Sequence, residues 1–206
     1  FYPSIRPCDH VWREFPHKRF ISNPQISNIP LGPTRLGLMN LPWIESSKRE
    51  LPFCFMGTLW PGTSRKLAVD SFTRHISSGF VFGGQSFGQG IPGDQYAALL
   101  RRSIFSLCPE GHRHFETFRF YESLELGNIP ITLATQSELG SLFYSRWPLP
   151  FFSHWDEAAI YASSLLSHPS KLDDLQMQIR NWWQNEKYAL SGRLHASIKS
   201  SPVSTS

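Results

Sequence analysis

An α/β fold built on a parallel, doubly wound sheet is predicted by three observations. The run from Ser103 to Leu133 reads as a buried strand (Ser103 to Pro109), a polar loop (Glu110 to Phe115), a helix (Glu116 to Leu126) and a second buried strand (Asn128 to Leu133). Both runs are rich in apolar residues that fit a pleated, enclosed surface, which is how buried parallel strands look. A second apolar run, Pro52 to Leu59, ends in Gly57-Thr58 and leads through Trp60 to Ser64 into a helix that starts at Arg65 and Lys66. Third, charged residues are 17% and aromatics 14% of the 206 residues, a composition that forms a core.

Phe1 to Gly37 is irregular and proline-punctuated, with Val11, Trp12, Phe15 and Phe20 as burial candidates. Leu38 to Leu51 reads as a linker in which Lys48, Arg49 and Glu50 are solvated. The helix after the first strand turns Leu67, Val69, Phe72 and Ile76 inward. Gly79 to Gly84 is a short strand, Gln85 to Gly93 a glycine-rich loop, and Asp94 to Arg102 a helix with Tyr96, Leu99 and Leu100 inward. After the central unit, Thr132 to Ser145 reads as a loop and Leu149 to Phe152 as a last strand. A helix runs from Trp155 to Leu166, with Ser153 or His154 near its cap. Lys171 to Gln184 is helical and Tyr188 to Ile198 continues more weakly, with Trp182 and Trp183 as packing residues. Lys199 to Ser206 is expected to be disordered.

Several function classes drop out. The net charge of +4 is mild and no Lys/Arg run is present, so nucleic acid is not an expected partner. Three cysteines, Cys8, Cys54 and Cys108, are too few and too widely spaced for a zinc ribbon or a disulfide scaffold. No run approaches the eighteen or so apolar residues of a membrane span. The start, Phe1-Tyr2-Pro3, has no initiator Met, and the chain is expected to be a fragment or trimmed domain.

A ligand in a βαβ unit sits where the first strand ends and the helix begins. There the loop brings Pro109, Glu110 and Gly111, and the helix offers Arg119 and Glu122 one turn apart. A helix start and a guanidinium take phosphate, and a carboxylate accepts from ribose hydroxyls. Arg65, in the first turn of the earlier helix, adds a second cation beside a Gly-containing turn. A plainer reading stays open for both: Arg119 and Glu122 as a solvated pair, Arg65 as a helix-surface cation. His112 and His114 lack Cys or Asp companions at ligand spacing, so no metal site is expected.

The run Ser-x-Phe-x-Leu-Cys-Pro-x-Gly, then Thr-Phe-Arg-x-Tyr-Glu-Ser-Leu, then Gly-Asn-Ile-Pro-Ile resembles the donor-binding half of exostosin-like glycosyltransferases. The resemblance implies the C-terminal, nucleotide-sugar-binding domain of a two-domain GT-B enzyme, a Rossmann-like doubly wound parallel sheet. On that basis residues 1–50 are a hinge left from the first domain, with Ile29 to Gly32 a strand tail. Residues 51–166 are the donor-binding domain and 167–206 a helical tail that packs back across the hinge.

It further implies transfer of a sugar from a nucleotide-diphosphate donor, UDP-sugar being the usual one, to a glycan or glycoprotein acceptor, on the lumenal side of the Golgi membrane. Arg65, Pro109, Glu110, Gly111, Arg119 and Glu122 are the expected donor-binding residues. No Asp-x-Asp occurs, so no metal cofactor is expected, and no carboxylate lies eight residues from Glu122, which leans toward inversion. The catalytic base is unassigned and expected from the missing first domain, so the chain alone is expected to bind donor without turnover. Two other classes compete: a noncatalytic interaction domain with a degenerate nucleotide cleft, and a sugar-binding module using Trp43, Trp60 and Trp147.

Overall fold

The computed structural model describes residues 10–20, 22–34, 41–84, 90–111 and 114–200. Four parallel strands, β3 (Leu51–Thr58), β4 (Phe80–Gly84), β5 (Ser103–Leu107) and β6 (Ile129–Ile131), form a sheet in the order β4-β3-β5-β6. Three helices make the crossovers: α1 (Ser64–His75), α2 (Gly93–Arg102) and α3 (Phe118–Leu126). The chain moves one way from β3 to β4, then back over β3 to β5 and on to β6. Right-handed crossovers therefore place α1 on one face and α2 and α3 on the other. The side chains of β3 follow suit: Phe53 and Phe55 pack with Ala68, Val69 and Phe72 of α1, while Cys54 and Met56 pack with Tyr96, Ala97 and Leu100 of α2. The sheet is doubly wound, and its direction reverses between β3 and β5.

Glycine ends the central helix. Gly127 has φ 71°, the left-handed geometry that suits a residue without Cβ, and its N–H returns to Ser123 O. A Cβ there would also lie 2.5 Å from the Trp43 ring. The helix itself begins at Phe118 instead of Glu116, because Glu116 is drawn into the core of the preceding loop.

Several expectations need correction. Arg49 is buried, not solvated: its guanidinium donates to Ile44 O (3.0 Å), Ser103 O (2.8 Å) and Leu126 O (2.9 Å). Leu126 closes α3, so Arg49 supplies a cation at a negative helix end. Burial pulls its pKa down to about 10, which still leaves it charged at neutral pH. Leu67 is exposed at 57%, and Val11 and Phe15, burial candidates, are exposed as well. Leu149 to Phe152 forms no strand, since Pro148 and Pro150 remove the ladder donors, although Leu149 and Phe152 still enter the core. The stretch 132–145 contains a helix, α4 (Gln136–Gly140), started by a reciprocal Thr135/Glu138 capping box.

The helix α5 (Trp155–Leu166) is capped by His154, whose ring nitrogen accepts from Glu157 N–H. The final helix is one piece, α6 (Pro169–Ser200). The weak stretch in its middle is held by tertiary bonds, as buried Glu186 accepts from the N–H groups of Tyr144 and Ser145. The described part of the amino-terminal stretch is not wholly irregular: β1 (Val11–Arg13) and β2 (Ile26–Asn28) pair in parallel, and Ile29 N–H extends the pairing to Arg13 O. The end of α6 reaches this ribbon, where Trp12 Nε1 donates to Ser197 Oγ.

Cys54 and Cys108 are buried free thiols, and burial pushes them from an ordinary 9 to about 11 and about 12. A raised acid pKa stabilises the fold fully below the unfolded value and loses that contribution as pH climbs through the folded value. Thermal midpoints are therefore expected to fall between about pH 9 and 12, and less steeply in a Cys54→Ala/Cys108→Ala double variant. Equal slopes for both proteins would contradict this. Cys8 and the loop residues 85–89 lie outside the described residues, as do 201–206.

Candidate functional site

The crevice of a doubly wound sheet opens where the strand order reverses, at the carboxyl ends of the strands. Here that place is bounded by the ends of β3 and β5 and by the first turns of α1 and α3. Two guanidinium groups meet at β3. Arg119, in the first turn of α3, donates from Nε and Nη2 to Met56 O at 3.2 and 2.9 Å and lies 4.8 Å over the Phe55 ring. Arg65, in the first turn of α1, donates from Nη1 to Thr58 O at 3.3 Å and lies 4.7 Å over the Trp60 ring. Burial, and then the positive charge of Arg119, lower the Arg65 pKa, and Glu110 works the other way.

Gly57 makes the Arg119 position accessible. A Cβ at residue 57 would stand 2.5 Å from Arg119 Nη2, so the guanidinium reaches Met56 O only because that strand residue has no side chain. Gly57→Ala is expected to displace the guanidinium while leaving the sheet intact. An anion-binding defect resembling that of an Arg119 truncation, with an unchanged far-ultraviolet dichroism spectrum, is the outcome to look for.

The two helix starts are also alike. Neither Thr63 nor Thr117 gives its helix a side-chain cap, neither first turn holds an acidic residue, and Thr117 Oγ1 and Arg119 Nη1 are buried without hydrogen-bond partners among the described residues. The starts of α4 and α5, by contrast, carry both a side-chain cap and an acidic residue. Uncapped N–H groups beside two cations form a setting that an anion stabilises.

Of the remaining expected residues, Glu110 is exposed and accepts from Ser64 Oγ at 2.7 Å, and the same Ser64 oxygen accepts from Trp155 Nε1 at 2.9 Å. Pro109 is buried behind it, and Gly111 N–H donates to His114 O at 2.9 Å. Arg65, Glu110 and Arg119 thus come together at the switch point.

Glu122 stands apart in character. It is 4% exposed, and its two oxygens accept from Thr34 Oγ1 and Tyr96 OH, each at 2.7 Å. Burial, with the Glu122 charge second, pushes the Tyr96 phenol well up, so it remains a donor. Arg119 and Glu122 are therefore no solvated pair: one faces the strand end and the other closes a buried hydroxyl network. Sequence reasoning missed Glu116, which is buried in the loop before α3 and accepts from Leu31 N–H at 3.0 Å and from the Tyr121 hydroxyl. Its signal was a carboxylate just ahead of the helix start, set among aromatic residues. His112 and Arg113 lie outside the described residues.

Among the described residues, no three His, Cys, Asp or Glu side chains cluster as metal ligands, and no helix is long and apolar enough to cross a membrane. Trp60 lies beside Arg65, whereas Trp43 packs on Gly127 and Trp147 on Trp182, so the three indoles belong to separate neighbourhoods.

No family model matches the chain. Over 73 residues, 34% of its length, it is 40% identical to Exostosin-1 of Drosophila melanogaster, and the match spans 8% of that protein. A crystal structure of an α1,3-fucosyltransferase overlaps 65% of this chain and 38% of its own at 19% identity and a TM-score of 0.44, too distant to carry residue roles across. Over those 73 residues the chain is similar to an exostosin, and its fold is a Rossmann-like, doubly wound parallel sheet.

Proposed function

We propose that the chain is the donor-binding half of a glycosyltransferase that takes a sugar from a nucleotide-diphosphate donor of the UDP type. One observation carries this reading: Arg65 and Arg119 converge on the end of β3 between two uncapped helix starts. As the glycosidic bond breaks, negative charge grows on the diphosphate, and preorganised cations and N–H groups lower the energy of that state. In this reading the two arginines do the work of a metal. Release of the sugar would be metal-independent, and the lack of a carboxylate partner eight residues from Glu122 favours inversion. The acceptor is a glycan or glycoprotein, and the setting is the Golgi lumen, as the resemblance to exostosins suggests.

Glu122 takes the ribose in this proposal. It already binds two hydroxyls, and a ribose diol would replace the Thr34 hydroxyl on the same carboxylate. Thr34→Val removes that competitor without changing size. UDP binding is expected to tighten about fivefold, the equivalent of one hydrogen bond of about 1 kcal/mol. Affinity unchanged or weakened in the variant would count against ribose at Glu122.

The test of the whole reading is calorimetry of the full chain with UDP, with and without EDTA. Binding that survives chelation supports it, and no heat at millimolar UDP refutes it. A second reading has its own observation. The burial of Glu122 between Thr34 and Tyr96 also fits a noncatalytic domain whose ribose subsite is filled by its own chain. That alternative predicts no UDP binding in either the natural chain or Thr34→Val.

A further inference from the structure

A groove that shares no lining residue with the arginine crevice runs beside α6. It consists of two basins, of about 820 and 550 Å³, which meet at Ser145, Arg146, Trp147 and Trp182. Each volume is in the range of small-ligand sites, and the two together suit an extended ligand that crosses Arg146.

The floor is fixed. Trp147 and Trp182 meet edge to face at 4.8 Å, and Trp182 Nε1 donates to Ser145 O at 3.3 Å. Buried Glu186 accepts from the N–H groups of Tyr144 and Ser145, so the loop that carries Arg146 is held before any ligand arrives.

The polar groups above it are free. Gln178, Asn181 and Asn185 are exposed and recur at intervals of three and four along α6, so they share one face of the helix. Neither their amides nor the exposed guanidinium of Arg146 has a partner among the described residues. Among the described residues, no Asp or Glu lines either basin. Aromatic rings border both: half-buried Tyr161 in the first and Phe151, 40% exposed, in the second.

That combination selects among ligands. Each amide both donates and accepts, as the adjacent hydroxyls of a sugar do. The apolar face of a pyranose can rest on an aromatic ring, and a guanidinium without a partner grips a carboxylate or sulfate through two parallel bonds. A nucleic acid would ask for a row of cations, and this groove offers one.

We propose that the groove holds an acidic oligosaccharide, with ring hydroxyls on Gln178, Asn181 and Asn185 and an anionic substituent on Arg146. The inference goes beyond the donor reading and stands whether or not the arginine crevice binds UDP.

The experiment titrates the full chain with neutral hexasaccharides (cellohexaose and xylohexaose) and acidic ones (hexagalacturonate and a hyaluronan hexasaccharide), followed by calorimetry and by NMR of the side-chain amides. At least one acidic hexamer is expected to bind about fivefold or more tighter than either neutral one, and to shift the Gln178, Asn181 and Asn185 amide signals. Arg146→Met should bring acidic binding down to the neutral level, and Gln178→Ala/Asn181→Ala should weaken it about tenfold or more. All three substituted side chains are exposed, so the variants are expected to fold. No acidic binding at millimolar concentration, equal binding of acidic and neutral hexamers, binding that survives both variants, or tighter binding of a proline-rich decapeptide at the same amides overturns the inference. A UDP titration run alongside reports on the donor reading by itself: failure of UDP to bind overturns that reading and leaves the oligosaccharide result to decide this one.

Discussion

Arg119→Ala is expected to weaken UDP binding about 5- to 150-fold, the loss of about 1 to 3 kcal/mol that goes with a charge-assisted contact. The fold should hardly notice. The variant loses two hydrogen bonds to a single carbonyl, Met56 O, but it also removes a cation that lowers the Arg65 pKa. Calorimetry gives the affinity and a urea titration the stability. Arg119→Lys tests the geometry: it keeps the charge but not the two-pronged bond to Met56 O, and it should fall between the natural chain and the alanine variant. A large stability loss with unchanged UDP affinity would make Arg119 a structural residue and end its role in anion binding.

Arg49→Met should do the reverse. Its guanidinium donates to Ile44 O, Ser103 O and Leu126 O; Gln176 and Asn128 also donate to the first two, so Leu126 O is the carbonyl that loses its side-chain donor when methionine fills the space. Loss of the donor from a buried acceptor costs about 1 to 3 kcal/mol, so destabilisation of that order is expected, about 3 to 10 °C in midpoint for a chain of this size. UDP affinity of the surviving folded fraction should be unchanged, because Arg49 lies at the amino ends of β3 and β5 and the arginine pair at their carboxyl ends. A midpoint shift under 2 °C would show that water replaces the guanidinium.

The parallel sheet was legible because its evidence is local. Apolar runs bounded by Gly57 and Gly127 give strand and helix limits from backbone geometry alone, and the Arg119 and Arg65 positions follow from their place in first helical turns. What could not be read depends on contacts distant in sequence. Arg49 looks like a linker cation until Ser103 O and Leu126 O are brought against it. Glu122 and Arg119 are three residues apart on one helix, yet Tyr96 and Thr34 enclose one while β3 receives the other. The short helix α4 was within reach: Thr135 and Glu138 have capping-box spacing, and the lack of apolar periodicity over so short a span hid it.

The last helix has a mechanical side. Its 32 residues make a rod of roughly 48 Å at 1.5 Å per residue. Near its middle Trp183 bonds to buried Glu125 of α3, and at its far end Ser197 meets Trp12 of the ribbon. Asp173 accepts from Ser47 and Gln176 donates to Gly127 O, so the amino-terminal half of the rod is fixed along its length and only the other end reaches the ribbon. Loss of the Ser197 contact is therefore expected to loosen the ribbon that carries Arg13 while the helix stays seated on the sheet.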